Sequence, residues 1–191
     1  MMNTDVQVKA AEKVQAADIA RLIMMAMTDD CCLHFCGEGY GLEDFLRMMT
    51  ALVKREDSQY SYKNTFVAMD GTRVVGVAVS YDGGELHKRR SVFIEYAKQY
   101  IGKDHTGMDD ETEAGELYLD SLAVLPEYRR QGIALRLLDA TKKRAKEIGL
   151  PCGLLVDAGN PVGEALYAKA GFRYVNDSQW GGHPMKHLRT P

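Results

Sequence analysis

The sequence predicts an α/β (α+β) fold: a mixed, mainly antiparallel central sheet of about seven strands with helices on both faces. Residues 64–84 contain two β-rich runs around Asp70-Gly71, a dipeptide that favours tight hairpins. From residue 116 onward, strand and helix patterns alternate, which favours mid-sheet strands covered by helices. A chain of 191 residues with 46% hydrophobic composition fits one soluble globular domain, so we expect a single domain over residues 1–191.

The chain before the hairpin contains patterns for one strand and two helices. Residues 5–10 alternate in hydropathy as a strand does, and residues 16–27 place apolar side chains at helical spacing. Residues 42–55 predict a second helix, and residues 31–41 between the two helices predict a turn-rich loop. The predicted apolar face of the first helix comprises Ile19, Leu22, Ile23, Ala26 and Met27.

A third helix and a polar loop are predicted after the hairpin. The helix covers residues 85–100, and the loop covers residues 102–116. The near-helical spacing rests on Val92, Phe93, Tyr96 and Tyr100.

The second half begins with a predicted strand over residues 116–124 and a long helix from Gly132 to about Ile148. Gly149 suits the end of that helix, and lysine and arginine near its C-terminus suit the helix dipole. Its predicted buried face comprises Ala134, Leu137, Leu138, Thr141, Ala145 and Ile148, and the remaining predicted elements are a strand at 152–158, a helix at 161–171 and strands at 172–177 and 183–188.

Composition argues against several classes of function. The formal charge of −3 gives no general attraction to nucleic acid, and no apolar run approaches the roughly 20 residues of a membrane-spanning helix. The first 20 residues lack a basic segment followed by an apolar stretch, so we expect a cytoplasmic protein that binds neither nucleic acid nor membrane.

Three of the four cysteines lie together in CCLHFC, as Cys31, Cys32 and Cys36 around His34. This spacing fits no standard zinc pattern, because adjacent cysteines chelate one tetrahedral ion poorly. We expect no metal, no disulfide framework, and small apolar thiols in a partly buried loop.

The stretch VLPEYRRQGIA, residues 124–134, resembles an anion-binding turn in its chemistry. Pro126 gives the chain a rigid exit from a strand, and the following helix begins near Gly132. The first turn of a helix has free N–H donors and a partial positive charge, and Arg129 and Arg130 add charge. The alternative is a charged surface turn that caps a helix. The stretch lacks the motifs of a P-loop or of a dinucleotide fold.

The same residues resemble the acetyl-coenzyme A motif of the GCN5-related N-acetyltransferases, the GNAT family. The motif V-x-P-x-Y-R-x-x-G-x-A is matched by Val124, Pro126, Tyr128, Arg129, Gly132 and Ala134. A later segment, NPVGEALYAKAGF, is similar to a second family signature through Asn160, Tyr167, Lys169, Gly171 and Phe172. Together the two segments cover about residues 117–175.

The resemblance implies roles for these residues toward acetyl-CoA. The strand before the turn would part from its neighbour and bind the pantetheine arm with backbone groups, and Asn160 would contact the donor near the thioester. Tyr167 would protonate the leaving thiolate, with packing against Phe172 as its structural alternative. The implied donor-binding set is Leu122, Ala123, Val124, Arg129, Arg130, Gln131, Gly132, Ile133, Ala134, Asn160 and Tyr167.

Asp120 and Glu116 are the candidates for the base that deprotonates the attacking amine. They are four residues apart on one predicted strand, on the face that would also carry Tyr118 and Leu122. Either carboxylate could instead be solvated or paired with an arginine.

Three other features bear on the acceptor. By the resemblance, the inserted helix and loop over about residues 85–115 would form an acceptor wall, with an ordinary packing helix as the alternative. The acidic stretch MDDETEAGE is expected to be solvated, with attraction of a basic substrate as the alternative. His183 and His187, beside Trp180, are expected to be structural and not part of the acceptor pocket.

The resemblance implies acetyl transfer from acetyl-CoA to a primary amine, which we expect to belong to a small molecule that attacks directly in a ternary complex. The alternatives are a protein or peptide N-acetyltransferase and a CoA-binding sensor without turnover. A larger acyl donor also stays open, and we allow for a homodimer.

Overall fold

The structure is a computed structural model that describes residues 6–191. The described residues form seven strands and six helices, apart from short 3₁₀ turns. In chain order these are β1 (Gln7–Ala10), α1 (Ala16–Met27), α2 (Asp29–Phe35), α3 (Leu42–Lys54), β2 (Thr65–Asp70), β3 (Arg73–Asp82), α4 (Leu86–Tyr100), β4 (Leu117–Val124), α5 (Ile133–Glu147), β5 (Cys152–Asp157), α6 (Pro161–Lys169), β6 (Arg173–Trp180) and β7 (His183–Arg189).

All seven strands join one sheet in the order β1-β2-β3-β4-β5-β7-β6. Every neighbouring pair is antiparallel except β4 and β5, which are parallel. The predicted mixed, mainly antiparallel sheet is therefore confirmed. The β2-β3 hairpin turns at Gly71, whose φ of 56° lies in the left-handed region that glycine adopts easily.

Helices cover both faces of the sheet, as predicted. One face packs against α1 to α4 around a core that includes Ile23, Phe45 and Phe93. The opposite face packs against α5 and α6 around Leu137, Leu154 and Phe172. The sheet thus separates two apolar cores, and its middle strands are buried on both sides.

The predicted loop over residues 31–41 is wrong in its first part, because residues 29–35 form α2. Thr28 accepts a hydrogen bond from the Cys31 N–H, and Asp29 and Asp30 lie in the first turn, where acidic groups complement the helix dipole. The cysteines accordingly belong to a helix and its C-cap, with Cys32 fully buried.

Two predicted helix faces differ in detail from the structure. Ile148 is 50% exposed because α5 ends at Glu147 and Ile148 is only its C-cap. In α4 the buried side chains are Leu86, Arg90, Phe93 and Ala97, so the core face carries an arginine that apolar periodicity could not reveal.

Candidate active site

The site is built where β4 and β5 part. The two parallel strands pair only at Leu117–Cys152 and Tyr118–Gly153, although β4 continues to Val124 and β5 to Asp157. Beyond this point the edge of β4 that faces β5 has no strand partner within residues 6–191. The divergence predicted for this strand is therefore present.

A bulge in β4 changes which side chains face the site. The pairing with β3 shifts between Val79–Ser121 and Ser80–Leu119, which leaves Asp120 as the extra residue. Before the bulge Leu117 and Leu119 pack toward α5.

After the bulge the alternation is reversed, because Leu122 and Val124 now pack toward α5 and Ala123 packs toward α1. The prediction that Leu122 shares one strand face with Tyr118 and Asp120 is therefore wrong. A regular strand alternates without interruption, and the bulge breaks that alternation.

A cavity of about 530 Å³ occupies the gap between the diverging strands. It is lined by the end of α1, by β4, by β5, by α6 and by the segment from Trp180 to Met185. The predicted site residues in its lining are Asp120, Leu122, Asn160 and Tyr167. Glu116 does not line it.

A more open groove of about 620 Å³ lies elsewhere, among charged side chains near the ends of α3 and α4 such as Lys54 and Arg89. None of the predicted site residues lines this groove, so we place the site in the smaller cavity.

Asp120 is surrounded by polar groups at the cavity wall. The Ser121 hydroxyl donates to its Oδ1 at 2.8 Å, and Gln59 lies beside it in the cavity lining. Burial, followed by the nearby Glu111 carboxylate, raises the pKa of Asp120 to about 7. A carboxyl group with this pKa can take up and release a proton near neutral pH.

Glu111 brings the acidic loop into the site, contrary to the prediction that this loop is simply solvated. Its carboxylate is buried, accepts from the Tyr81 hydroxyl at 2.8 Å and from Gln59 Nε2 at 3.3 Å, and pairs with the Arg90 guanidinium. Arg90 also binds Asp110 at 2.7 Å and the backbone carbonyls of residues 108 and 109, so it fastens the loop to α4.

Sequence reasoning missed Gln59, Arg90 and Glu111 as parts of the site. The spacing of Arg90 with Leu86, Phe93 and Ala97 is the signal that could have identified the arginine as buried. A buried arginine requires carboxylate partners, and the acidic stretch after this helix contains several carboxylates.

Glu116 lies at the start of β4 in a separate polar network. Its side chain is 4% exposed, accepts from the Thr112 hydroxyl at 2.7 Å and lies 2.7 Å from His187 Nε2. A Cβ at Gly153 would overlap this carboxylate, so the glycine makes room for it. His187 also contacts Asn176 through Nδ1 at 3.2 Å, whereas the exposed His183 lines the cavity.

Tyr167 projects from α6 into the cavity lining. Its ring packs edge-on against Phe172 with centroids 5.8 Å apart. Packing against Phe172 is therefore compatible with a position of Tyr167 at the cavity. Burial raises the pKa of the Tyr167 hydroxyl to about 12, and the group is therefore protonated at neutral pH and able to donate.

Asn160 is the N-cap of α6. Its Oδ1 accepts from the Gly163 N–H at 2.9 Å, and Pro161 follows as the first helical residue. The capping bond fixes the side chain at the cavity lining and uses its oxygen, which leaves the Nδ2 hydrogens for a ligand.

The turn before α5 has a backbone shaped for an anion. Arg130 and Gly132 have φ values of 61° and 79°, and Gly132 is the N-cap of α5. Within residues 6–191 the N–H groups of residues 130–134 have no hydrogen-bond acceptor. The Arg129 N–H donates to Pro126 O at 3.2 Å, so the series of free N–H groups begins at Arg130.

Side chains hold this turn in place. Arg129 Nε donates to Val124 O at 3.1 Å, and Gln131 Nε2 donates to Glu127 O at 3.2 Å. The Tyr128 hydroxyl donates to Asp70 at 2.6 Å, which anchors the turn to the β2-β3 hairpin. Ile133 is buried under the first turn of α5, and Gly132 and Ala134 are partly exposed.

In the part of the chain from Val6 onward, no helix is both long and apolar enough to cross a membrane. Over the same residues, no three His, Cys, Asp or Glu side chains are grouped so that they could hold a metal ion.

Comparison with known proteins agrees with this architecture. The model of the Acetyltransferase (GNAT) family matches residues 39–172, which is more than half of the chain. No curated protein is significantly similar in sequence.

Solved structures share the fold over nearly the whole chain. A crystal structure of an acetyltransferase superposes with a TM-score of 0.80 at 26% identity and covers 96% of this chain and 98% of that one. An N-acetyltransferase from Staphylococcus aureus Mu50 has a TM-score of 0.80 at 22% identity, with 96% and 100% covered. A chain of the NatC complex bound to Gag peptide and CoA has a TM-score of 0.61 at 17% identity, with 98% and 99% covered. The chain therefore belongs to the GNAT family of acetyltransferases, acyltransferases that use acetyl-CoA as the donor.

Proposed function

We propose that the protein transfers the acetyl group of acetyl-CoA to a primary amine of a small molecule, by direct attack in a ternary complex. The observation that carries this proposal is that Asp120 and Tyr167 line one cavity at the divergence of β4 and β5. A group that can act as a base near neutral pH and a protonated hydroxyl thus border the same space.

The turn before α5 supplies the donor site. The free N–H groups of residues 130–134 and the N-terminal end of α5 suit the diphosphate of CoA, and the exposed guanidinium groups of Arg129 and Arg130 add positive charge. The unpaired edge of β4 at Leu122, Ala123 and Val124 provides backbone groups for the amide-bearing pantetheine arm.

The chemistry follows from the groups at the cavity. Acetyl-CoA supplies an activated thioester carbonyl. Asp120 accepts a proton from the incoming ammonium group, directly or through water, so that the neutral amine can form the new C–N bond. A free N–H of β4 stabilises the negative charge that develops on the carbonyl oxygen. Tyr167 donates its proton to the sulfur as the C–S bond breaks.

We favour Asp120 over Glu116 as the base. Asp120 borders the cavity, whereas the Glu116 carboxylate is engaged by Thr112 and His187 outside the lining. We assign Glu116 a structural role, because it lies where β4 pairs with β5.

The inserted helix and loop over about residues 85–115 support a small acceptor. Met108 and Glu111 of this segment line the cavity, and Arg90 holds them there. A wall at this place encloses the cavity that the acceptor amine would enter. Because a protein substrate needs an open groove, this wall favours a small molecule as the acceptor.

The test is a screen of thiol release from acetyl-CoA over amines, amino acids, polyamines and peptides. We expect turnover with a small amine and about 100-fold less with Tyr167→Phe, which keeps the ring and removes the proton donor. Phe172→Tyr is a matched control that alters the neighbouring ring. Binding of acetyl-CoA without turnover on any acceptor would contradict the proposed acetyl transfer and support a CoA-binding sensor. Turnover with peptides alone would contradict a small-molecule acceptor.

A further inference from the structure

The charge of the cavity lining is one-sided. Three carboxylates border it, from Glu111, Asp120 and the exposed Asp157. Within residues 6–191 no lysine or arginine side chain lines it, and the basic ring that does, His183, is exposed to solvent. Arg90 lies behind Glu111, outside the lining, and both terminal nitrogens of its guanidinium are engaged by carboxylates and backbone carbonyls.

The remaining lining is mostly apolar and aromatic. Trp180, Tyr60 and Tyr118 contribute rings, and Met27, Met108 and Met185 contribute flexible thioethers. Trp180 is held by a stacked contact with Phe35 at 6.0 Å between ring centroids. Such walls suit an apolar body, and ring faces also attract a cationic amine.

From these two features we infer the substrate class: the acceptor is a primary amine on an apolar body that carries no carboxylate or phosphate group. The inference rests on the proposed function, because it concerns the acceptor of that reaction. An amine cation is attracted by Asp120 and Asp157, while the ion pair with Arg90 offsets part of the Glu111 charge, and it loses its proton to Asp120. A carboxylate on the same molecule would enter beside two carboxylates without any basic side chain of the cavity wall to pair with it, except at the exposed His183.

Matched pairs of acceptors test the inference. Phenethylamine and phenylalanine differ by one carboxylate, as do tyramine and tyrosine, and tryptamine and tryptophan. We expect kcat/KM for thiol release to be about 100-fold higher for the amine of each pair, since like charges a few ångströms apart in a partly desolvated site repel strongly. Phenylalaninamide controls for bulk, because it has nearly the size of phenylalanine without the charge, and it should regain most of the lost rate.

Binding can be followed without turnover. Trp180 is the single tryptophan of the chain, so intrinsic fluorescence reports the cavity directly. We expect phenethylamine to change Trp180 fluorescence at concentrations about 100-fold below those needed for phenylalanine, in the presence of CoA.

Two variants test the origin of the discrimination. Glu111→Gln removes one carboxylate and frees part of the Arg90 guanidinium, so the preference for phenethylamine over phenylalanine should fall at least tenfold. Asp157→Asn removes an exposed carboxylate and keeps an acceptor for the Gly159 N–H, so it provides the same test if Glu111→Gln does not fold; there the preference should fall about threefold.

The outcomes separate this inference from the proposed function. Equal fluorescence responses to phenethylamine and phenylalanine, or equal rates with both, would overturn the inference. A selective fluorescence response without thiol release would support the inference about the cavity and overturn the proposed reaction. An unchanged preference in a folded Glu111→Gln protein, or in Asp157→Asn where that variant is used, would overturn the electrostatic explanation.

Discussion

Replacement of Asp120 by asparagine should stabilise the protein at alkaline pH while removing the proposed catalytic base. Burial and the Glu111 carboxylate raise the pKa of Asp120 from an ordinary 3.8 to about 7, so the folded protein opposes ionisation of this group. Between those two values the folded state binds more protons than the unfolded state. The free energy of unfolding therefore falls as pH rises from about 4 to about 7, and the full destabilisation by the ionised Asp120 is present above pH 7.

The size of this cost follows from the pKa difference. A rise of about three pH units, at about 1.4 kcal/mol for each unit, corresponds to about 4 kcal/mol. This value is an upper bound, because water in the cavity lowers the cost of the charge. Asparagine keeps the oxygen that accepts from Ser121 and carries no charge. The variant should thus equal the wild type at pH 4 and exceed it by about 2 to 4 kcal/mol at pH 9.

Urea unfolding of both proteins at pH 4, 7 and 9 measures this difference. Asp157→Asn is the matched control, because it makes the same substitution at an exposed position. Thiol-release assays of Asp120→Asn should show about 100-fold lower kcat near pH 8. A stability difference that does not vary with pH, or a variant less stable than the wild type at pH 9, would refute the reasoning about burial.

Four further results are expected. The kcat/KM of the wild type should rise with pH and level off above about 7 as Asp120 loses its proton, and a flat profile from pH 5 to 8 would exclude Asp120 as the base. Gly132→Glu should bind CoA at least tenfold more weakly than Gly132→Ala in calorimetry. Both variants share the backbone strain at a φ of 79°, and only glutamate adds a negative charge. Equal affinities of the two variants would contradict an anion at this turn. Gly153→Ala should destabilise the fold by about 2 to 4 kcal/mol in urea unfolding, because its Cβ overlaps the Glu116 carboxylate, and a neutral effect would show that this contact is loose. Glu116→Gln should lower the free energy of unfolding by about 1 to 3 kcal/mol and leave the pH profile of kcat/KM unshifted. If kcat/KM of this variant no longer rose with pH, Glu116 would be identified as the base.

Local chemistry accounts for the parts of the fold that the sequence predicted well. Asp70-Gly71 specifies its hairpin through the conformational freedom of glycine, and Gly132 specifies the start of α5 in the same way. The predicted limits of the first helix agree with α1 because apolar spacing and the acidic first turn are signals contained within a dozen residues. Even α2, which was missed, has a local signal in Thr28 and the two aspartates after it.

The sequence by itself indicated the mainly antiparallel sheet and the turn before α5, because their signals lie in short stretches of the chain. Strand alternation and the family resemblance offered Asp120 and Tyr167 as candidate groups for chemistry. Only the tertiary structure decided which groups meet at the cavity. Gln59 reaches Glu111 from 52 positions away, and the bulge that directs Asp120 is visible only in its pairing with β3. The physical reason is that the pKa of a carboxyl group depends on burial and on neighbouring charges in space, and neither is encoded in local spacing.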